Sequence, residues 1–281
     1  QSSLLYLMAC DGSLKSECGI QLDCAIFSDT GDEPKRVYEH LEWMIDEGQR
    51  LDGPPLWVRC VKDRSGNPVF LGEQLIQGQN ATGQRFTSIP GITKAKGGDK
   101  PTGMTRRQCT KEIKIDVITK AIRYELLGLE PRQRLPADVV VTQYFGFSRE
   151  EAGRAGRTRG RFDQMGSQWN VGFPLFDLGY ARPDCIAELK DRCPHEVISS
   201  RCVYCPFQSQ RMWRQIKQDP ADWDRACEVD DGLRTTGSVA NRDLNQELYV
   251  HRSGVPLRAA YLDEDQMEFP FAGECEGGCG L

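Results

Sequence analysis

The sequence predicts an α/β protein: a parallel sheet flanked by helices, followed by a Cys-rich, mostly helical layer. Three observations point there. Short apolar runs alternate with stretches of helical periodicity; the runs end in polar turns; and the texture changes after about Gly160, becoming aromatic, Cys-containing and proline-punctuated. With 281 residues there is ample chain for a core. A division at 1–160 and 161–281 follows from the change in texture, the second part being an appended layer.

Ser3 to Met8 is apolar and reads as the first turns of a helix. Ala25-Ile26-Phe27 is a short strand that ends in Ser28-Asp29-Thr30-Gly31-Asp32. Pro34 suits a first helical turn, and Val37, Leu41, Met44 and Ile45 recur at helical spacing after it. Leu56 to Val61 is a second strand. From Asp63 to Arg107 periodicity is lost, and the residues are Gly, Lys, Thr and Gln, which predicts a long functional connection. Ile113, Val117, Ala121, Ile122 and Leu126 form another helical stripe, stopped by Gly128. Val139 to Phe145 is a β-branched run, expected to be a strand buried on both faces. Helices are expected near Pro183–Arg192 and Gln210–Lys217.

Composition narrows the function. A net charge of −5 argues against bulk attraction to polyanions, so any nucleic acid must be held by local clusters. Two such clusters exist. Arg149, Arg154, Arg157, Arg159 and Arg161 place five guanidiniums in thirteen residues, and Lys94, Lys96, Lys100, Arg106 and Arg107 lie in the long connection. No apolar run approaches the roughly 18 residues of a membrane span. No basic-then-apolar leader is present, and a cytoplasmic setting without membrane attachment is expected.

Twelve cysteines are the informative count. In a reducing compartment, clustered cysteines are metal ligands or reactive thiols more often than disulfides. Cys202-Val203-Tyr204-Cys205-Pro206 is the sharpest local signal, since two thiolates at this spacing can grip one metal or part of an iron–sulfur cube. Cys109 and Cys185 are candidates for the remaining ligands, with Cys193 as a rival. Ligand count alone does not separate zinc from a four-iron cluster. Two polar clusters follow core strands, Asp29–Glu33 and Gly146–Glu151, where α/β sheets place their ligands. His40, His195 and His251 are isolated in sequence. Trp43, Trp57, Trp213 and Trp223 read as packing residues.

Asp29-Thr30-Gly31-Asp32-Glu33-Pro34, Cys109-Thr110 with Lys114-Ile115, Gly146…Glu151…Arg154, and Ser200-Arg201-Cys202…Cys205-Pro206-Phe207…Trp213 together resemble the phosphoadenosine-phosphosulfate (PAPS) reductase-like family. Within it, the pattern is most similar to the branch found in phages and DNA phosphorothioation systems. The resemblance runs from Gln1 to Leu281. It implies an adenine nucleotide alpha-hydrolase (ATP pyrophosphatase, Rossmann-like) core whose first strand and Gly-rich phosphate loop would precede Gln1. By it, Ser2 and Ser3 would meet the phosphates, Asp29, Thr30 and Gly31 the adenosine, and Gly146, Glu151 and Arg154 the far side of the cleft. It also nominates Cys109, Cys185, Cys202 and Cys205 as ligands of a [4Fe-4S] cluster, with zinc as the alternative.

The glycine-rich tail carries Cys275 and Cys279 and is similar to the C-terminal Glu-Cys-Gly of sulfonucleotide reductases. A thiol on such an arm can attack sulfur, although Glu274 and Glu276 would raise its pKa and slow it. The expected function is ATP-dependent sulfur transfer to a nucleic acid, with Mg²⁺ near Asp29 or Asp32 and Arg154 stabilising phosphate charge. The sulfur would come from a donor such as a cysteine desulfurase, or through a thioredoxin-like reductant. Two rivals stand beside it: a PAPS or adenosine-phosphosulfate reductase that releases sulfite, and a non-catalytic nucleic-acid-binding subunit with a structural metal.

Overall fold

The structure is a computed structural model and describes residues 1–83, 89–235 and 246–262. It is a mixed α/β protein. Helix α1 (Ser2–Cys10) is followed by α2 (Ser13–Cys18), strand β1 (Ala25–Ser28), helix α3 (Lys35–Arg50) and strand β2 (Leu56–Arg59). β1 and β2 pair in parallel, Ala25 with Leu56 through Ser28 with Arg59, as a strand–helix–strand crossover requires. Val37, Leu41 and Met44 lie on the buried face of α3, as their spacing predicts, and Leu41 and Met44 pack with Tyr6 and Cys10 of α1.

The connection expected to lack structure contains helix α4 (Leu71–Gln77) and strands β3 (Ile92–Ala95) and β4 (Pro101–Met104). Its strands are too short to show alternation, and β3 finds its other partner far away. It pairs antiparallel with β4 and with β7 (Gln246–Tyr249), making a separate three-stranded sheet. Next comes α5, a continuous rod through Thr110–Ile115, Asp116–Lys120 and Ala121–Leu126 whose end turns are wound more widely than an α-helix. Gly128 follows it at φ +61°, the stop signal the sequence offers.

Strand β5 (Val141–Tyr144) pairs in parallel with β6 (Trp169–Gly172) across helix α6 (Ala152–Met165). The expectation that this strand is buried on both faces is corrected: Val140 is 57% exposed and β5 is half-buried. The parallel strands therefore form two pairs, β1–β2 and β5–β6, rather than one continuous described sheet. Ile26 of β1 and Val141 and Val171 of β5 and β6 nonetheless border one cluster around Ile122, Phe162 and Trp169.

The chain then forms α7 (Pro174–Asp177), α8 (Arg182–Arg192), α9 (Gln210–Gln218) and α10 (Pro220–Gly232). Asp219 caps α10 through the backbone N–H groups of Ala221 and Asp222. The cluster holding Trp213 and Tyr204 also holds Leu71, Leu75 and Ile113, so the later region is welded to the earlier one, and residue 160 falls inside α6. Among the described residues, no helix is long and apolar enough to cross a membrane.

Candidate functional site

The turn after β1 is fixed by its own side chains. Asp29 Oδ1 accepts from the Gly31 N–H at 2.8 Å and from the Tyr38 hydroxyl at 2.8 Å. Gly31 has φ +86°, and a Cβ there would lie 2.1 Å from Cγ of Phe70, so no other residue fits. Thr30 is buried, and its carbonyl accepts from the Leu71 N–H.

On this turn the thiol-bearing loop docks. The Val203 N–H donates to the Asp32 carbonyl at 2.8 Å, and Cys202 Sγ donates to Thr30 Oγ1 at 3.2 Å. Thr30 in turn donates to Glu33 Oε1 at 3.2 Å, and Ser200 donates to Glu33 Oε2 at 3.0 Å. Lys114 Nζ stands 3.8 Å from Glu33 Oε1. Burial pushes Glu33 above the ordinary carboxylic range, against the pull of Lys114 and the two hydroxyls. Burial and the neighbouring Glu33 push the Cys202 thiol well above its usual value, so it is held as a protonated thiol.

A second knot lies beside the first. Asp32 Oδ1 accepts from Arg225 Nε at 2.6 Å, while its Oδ2 accepts from the Tyr204 hydroxyl at 2.8 Å and the Gly72 N–H at 3.0 Å. Both oxygens are engaged inside the fold, where this carboxylate clamps the C-terminal layer to the turn.

A cleft of about 410 Å³ runs from the start of α1 along β1. Ser2, Ser3, Phe27, His40, Arg154, Cys185, Ser200 and Arg201 are among the residues that line it. Gly146 sits against the first residues of α1, where a Cβ would come within 2.7 Å of the Ser2 nitrogen. Gln1 Nε2 donates to Ser148 Oγ at 2.6 Å, and Ser148 and Glu151 cap each other reciprocally. Glu151 also holds Arg154 at 2.7 Å, and the Arg154 guanidinium lies 4.2 Å above the Phe147 ring. The predicted residues Ser2, Ser3, Gly146, Glu151 and Arg154 thus gather at one end of the cleft.

The arginine run is the outer part of α6 and its preceding turn. Arg159 lies over Phe173 and Arg161 over Phe162, whereas Arg149 and Arg157 are exposed. In the other basic segment, Lys94 donates to the Gly254 carbonyl at 2.9 Å and Arg107 covers Phe207.

The four nominated thiols are distributed unevenly. Cys109 and Cys202 border the same core cluster, and the Cys205 N–H donates to the Cys202 carbonyl at 3.0 Å. Cys185 is 1% exposed and belongs to a different cluster, with Leu4, Leu7, Leu175, Leu189 and its rival Cys193. Among the described residues, no three His, Cys, Asp or Glu side chains converge to hold a metal ion. The four sulfurs do not close into one tetrahedral set in this arrangement. Cys275 and Cys279 lie outside the described residues.

One constellation has no sequence signal. Ser3 Oγ is 2.9 Å from His40 Nε2, and His40 Nδ1 is 2.9 Å from His195 Nε2. The spacing of His40 on α3, three residues after Val37, was the only clue that it faces inward. Nothing local to His195 announced its partner 155 positions earlier.

Comparison with known proteins finds no matching family model, no matching curated protein and no matching solved structure.

Proposed function

We propose that the protein is an adenine-nucleotide-dependent enzyme of sulfur transfer, acting on a nucleic acid. The observation that carries this reading is the meeting of Thr30 and Cys202, 172 positions apart, at 3.2 Å beside the cleft lined by Ser2, Ser3 and Arg154. A turn suited to a nucleoside, a helix start suited to phosphates and a buried thiol share one corner of the molecule.

In this reading the nucleotide lies along β1 with its phosphates toward the start of α1. An oxygen of the acceptor attacks the α-phosphorus, the bond to the β-phosphate oxygen breaks, and pyrophosphate leaves. The terminal sulfur of a donor protein's persulfide then displaces AMP from the activated carbon or phosphorus, and a thioredoxin-like dithiol cleaves the remaining S–S bond, releasing the thiolated acceptor and the donor thiol while the dithiol becomes a disulfide. Arg154 stabilises the charge that develops on phosphate, its guanidinium held by Glu151 and Phe147. Mg²⁺, near Asp29 or Asp32, would neutralise the departing phosphates. Lys114 compensates the Glu33 carboxylate beneath the thiol. The exposed Arg149 and Arg157 mark where a phosphodiester backbone would lie. Cys202 and Cys205, with Cys109 bordering the same core cluster, are the thiols this reading would assign to an iron–sulfur centre, and no step is assigned to it.

The test is pyrophosphate release from ATP in the presence of DNA or tRNA, with iron and acid-labile sulfide measured on anaerobically purified protein. Arg154→Ala is expected to lower release by about 10²-fold. Sulfite release from an adenylated sulfate would instead establish a reductase. Absence of both activities in the full chain would leave a binding subunit.

A further inference from the structure

The sulfur-transfer reading sets Ser3 beside phosphates and gives no step to His40 or His195, and the geometry of the Ser3–His40–His195 chain has a chemistry of its own. Ser3 is the second residue of α1 and lines the cleft. His40 is 6% exposed on the inner face of α3, and His195 is half-buried after α8. Trp43 fixes both imidazoles: it stacks on His40 at 5.7 Å and 19° and meets His195 edge-on at 5.6 Å. Two 2.9 Å contacts in series therefore join a hydroxyl, an imidazole and a second imidazole whose planes cannot drift.

The polarity of the chain follows from proton counting. If His40 Nε2 accepts the Ser3 proton, His40 Nδ1 carries the ring hydrogen and must donate it to His195 Nε2. Burial and the neighbouring His195 lower the pKa of His40 to about 4, so it is neutral at pH 7 and free to accept. The first hydrogen bond of α1 runs from the Leu5 N–H to the Gln1 carbonyl, so the Ser3 and Leu4 N–H groups precede the helical ladder. Phe27, Leu41, Met44 and Ile186 supply apolar walls for a small acyl group.

We propose that Ser3 is a nucleophile activated by His40 as general base, with His195 as the positioning residue, forming an acyl-transfer site for small carboxylic esters. The Ser3 proton moves to His40 Nε2 as the Oγ–carbon bond forms. The tetrahedral adduct collapses, its bond to the alcohol oxygen breaks, and the alcohol departs with the proton from Nε2. Water then gives a proton to Nε2 and bonds to the acyl carbon, and Ser3 leaves with that proton. Ester and water become acid and alcohol, and the protein is unchanged.

The probe is a fluorophosphonate, with p-nitrophenyl acetate hydrolysis in parallel, on the full chain without nucleotide. One phosphonyl group per chain is expected, on the peptide that contains Ser3, and Ser3→Ala should take none. His40→Ala should react about 10²-fold more slowly, and added imidazole should restore part of the rate. His195→Ala should be slowed at least about tenfold, and His195→Gln, whose side-chain oxygen can accept the same hydrogen, should recover most of it. His40→Asn serves if His40→Ala does not fold, as judged by circular dichroism. Failure of the folded wild-type chain to label at Ser3 overturns the proposal. So does labelling that persists at the wild-type rate in a folded His40 variant. Neither result bears on nucleotide-dependent sulfur transfer, because phosphonylation needs no ATP.

Discussion

Replacing Asp32 by Ala should be among the most destabilising single changes in the protein. The carboxylate receives three donors: Arg225 Nε, the Tyr204 hydroxyl and the Gly72 N–H. Tyr204 is fully buried, so its orphaned hydroxyl has no water to turn to, and an unsatisfied buried donor costs about 1–3 kcal/mol. The Gly72 N–H adds a similar amount. Arg225 suffers less, because its side chain is 23% exposed and it keeps Glu73 and Glu228. The total is about 3–5 kcal/mol, the range expected on breaking a buried ion pair from one side. Tyr204→Phe should cost about 1.5 kcal/mol, one hydrogen bond to a charged acceptor. Urea unfolding followed by tryptophan fluorescence measures both. A loss below about 1 kcal/mol for Asp32→Ala would refute the clamp.

Other expectations follow from the same contacts. His40 and His251 are both buried with pKa values lowered to about 4 from 6.5, so the unfolded chain binds more protons between those values. Stability should therefore fall as pH drops from 6.5 toward 4, by about 3 kcal/mol for each histidine at the acid end, and His251→Gln should remove about half of that slope in urea titrations. Glu33 has its pKa raised by burial, so the charged form is a burden that grows as pH rises through and above the usual 4.5. Glu33→Gln should gain stability at pH 7 and show no gain at pH 4, as read by thermal melting. Gly31→Ala should cost more than about 3 kcal/mol, because the new methyl would meet the Phe70 ring at a backbone angle that disfavours it; unchanged melting would contradict the turn geometry. Gly146→Ala should displace the start of α1, whose Gln1 and Ser2 backbone atoms lie within 2.8 Å of the new methyl, and lower the melting temperature; an unchanged melt would contradict that contact.

Much of the architecture was legible because periodicity needs only local information. α1, α3, α5, α8 and α9 follow stripes such as Val37/Leu41/Met44, and β1 and β2 follow their apolar runs. Elements defined by distant partners were not legible. β3 is a strand because β7 lies beside it, about 150 positions later, and nothing in Ile92–Ala95 announces that. Val140 is exposed although it lies in an apolar run, since β5 pairs only with β6 among the described residues. The site shows the same division. The family resemblance pointed to Thr30, Lys114 and Cys202, which converge, but it could not tell that Cys185 packs with Leu4 and Leu189. It passed over the two histidines, because a hydrogen bond between residues 155 apart leaves no trace in either neighbourhood.

The Asp32 clamp has a consequence for how the protein comes into being. Residues 25–59 can fold around their own crossover soon after synthesis, but Thr30 acquires its thiol neighbour only when the chain some 170 positions later arrives and Arg225 locks onto the turn. Closing so large a loop is slow, and the reward comes only at the end. The corner where Thr30 meets Cys202 is therefore assembled last. A nascent chain that ends before Ser200 would lack the thiol, hydroxyl and backbone partners of Thr30, Glu33 and Asp32, leaving the turn without its cover.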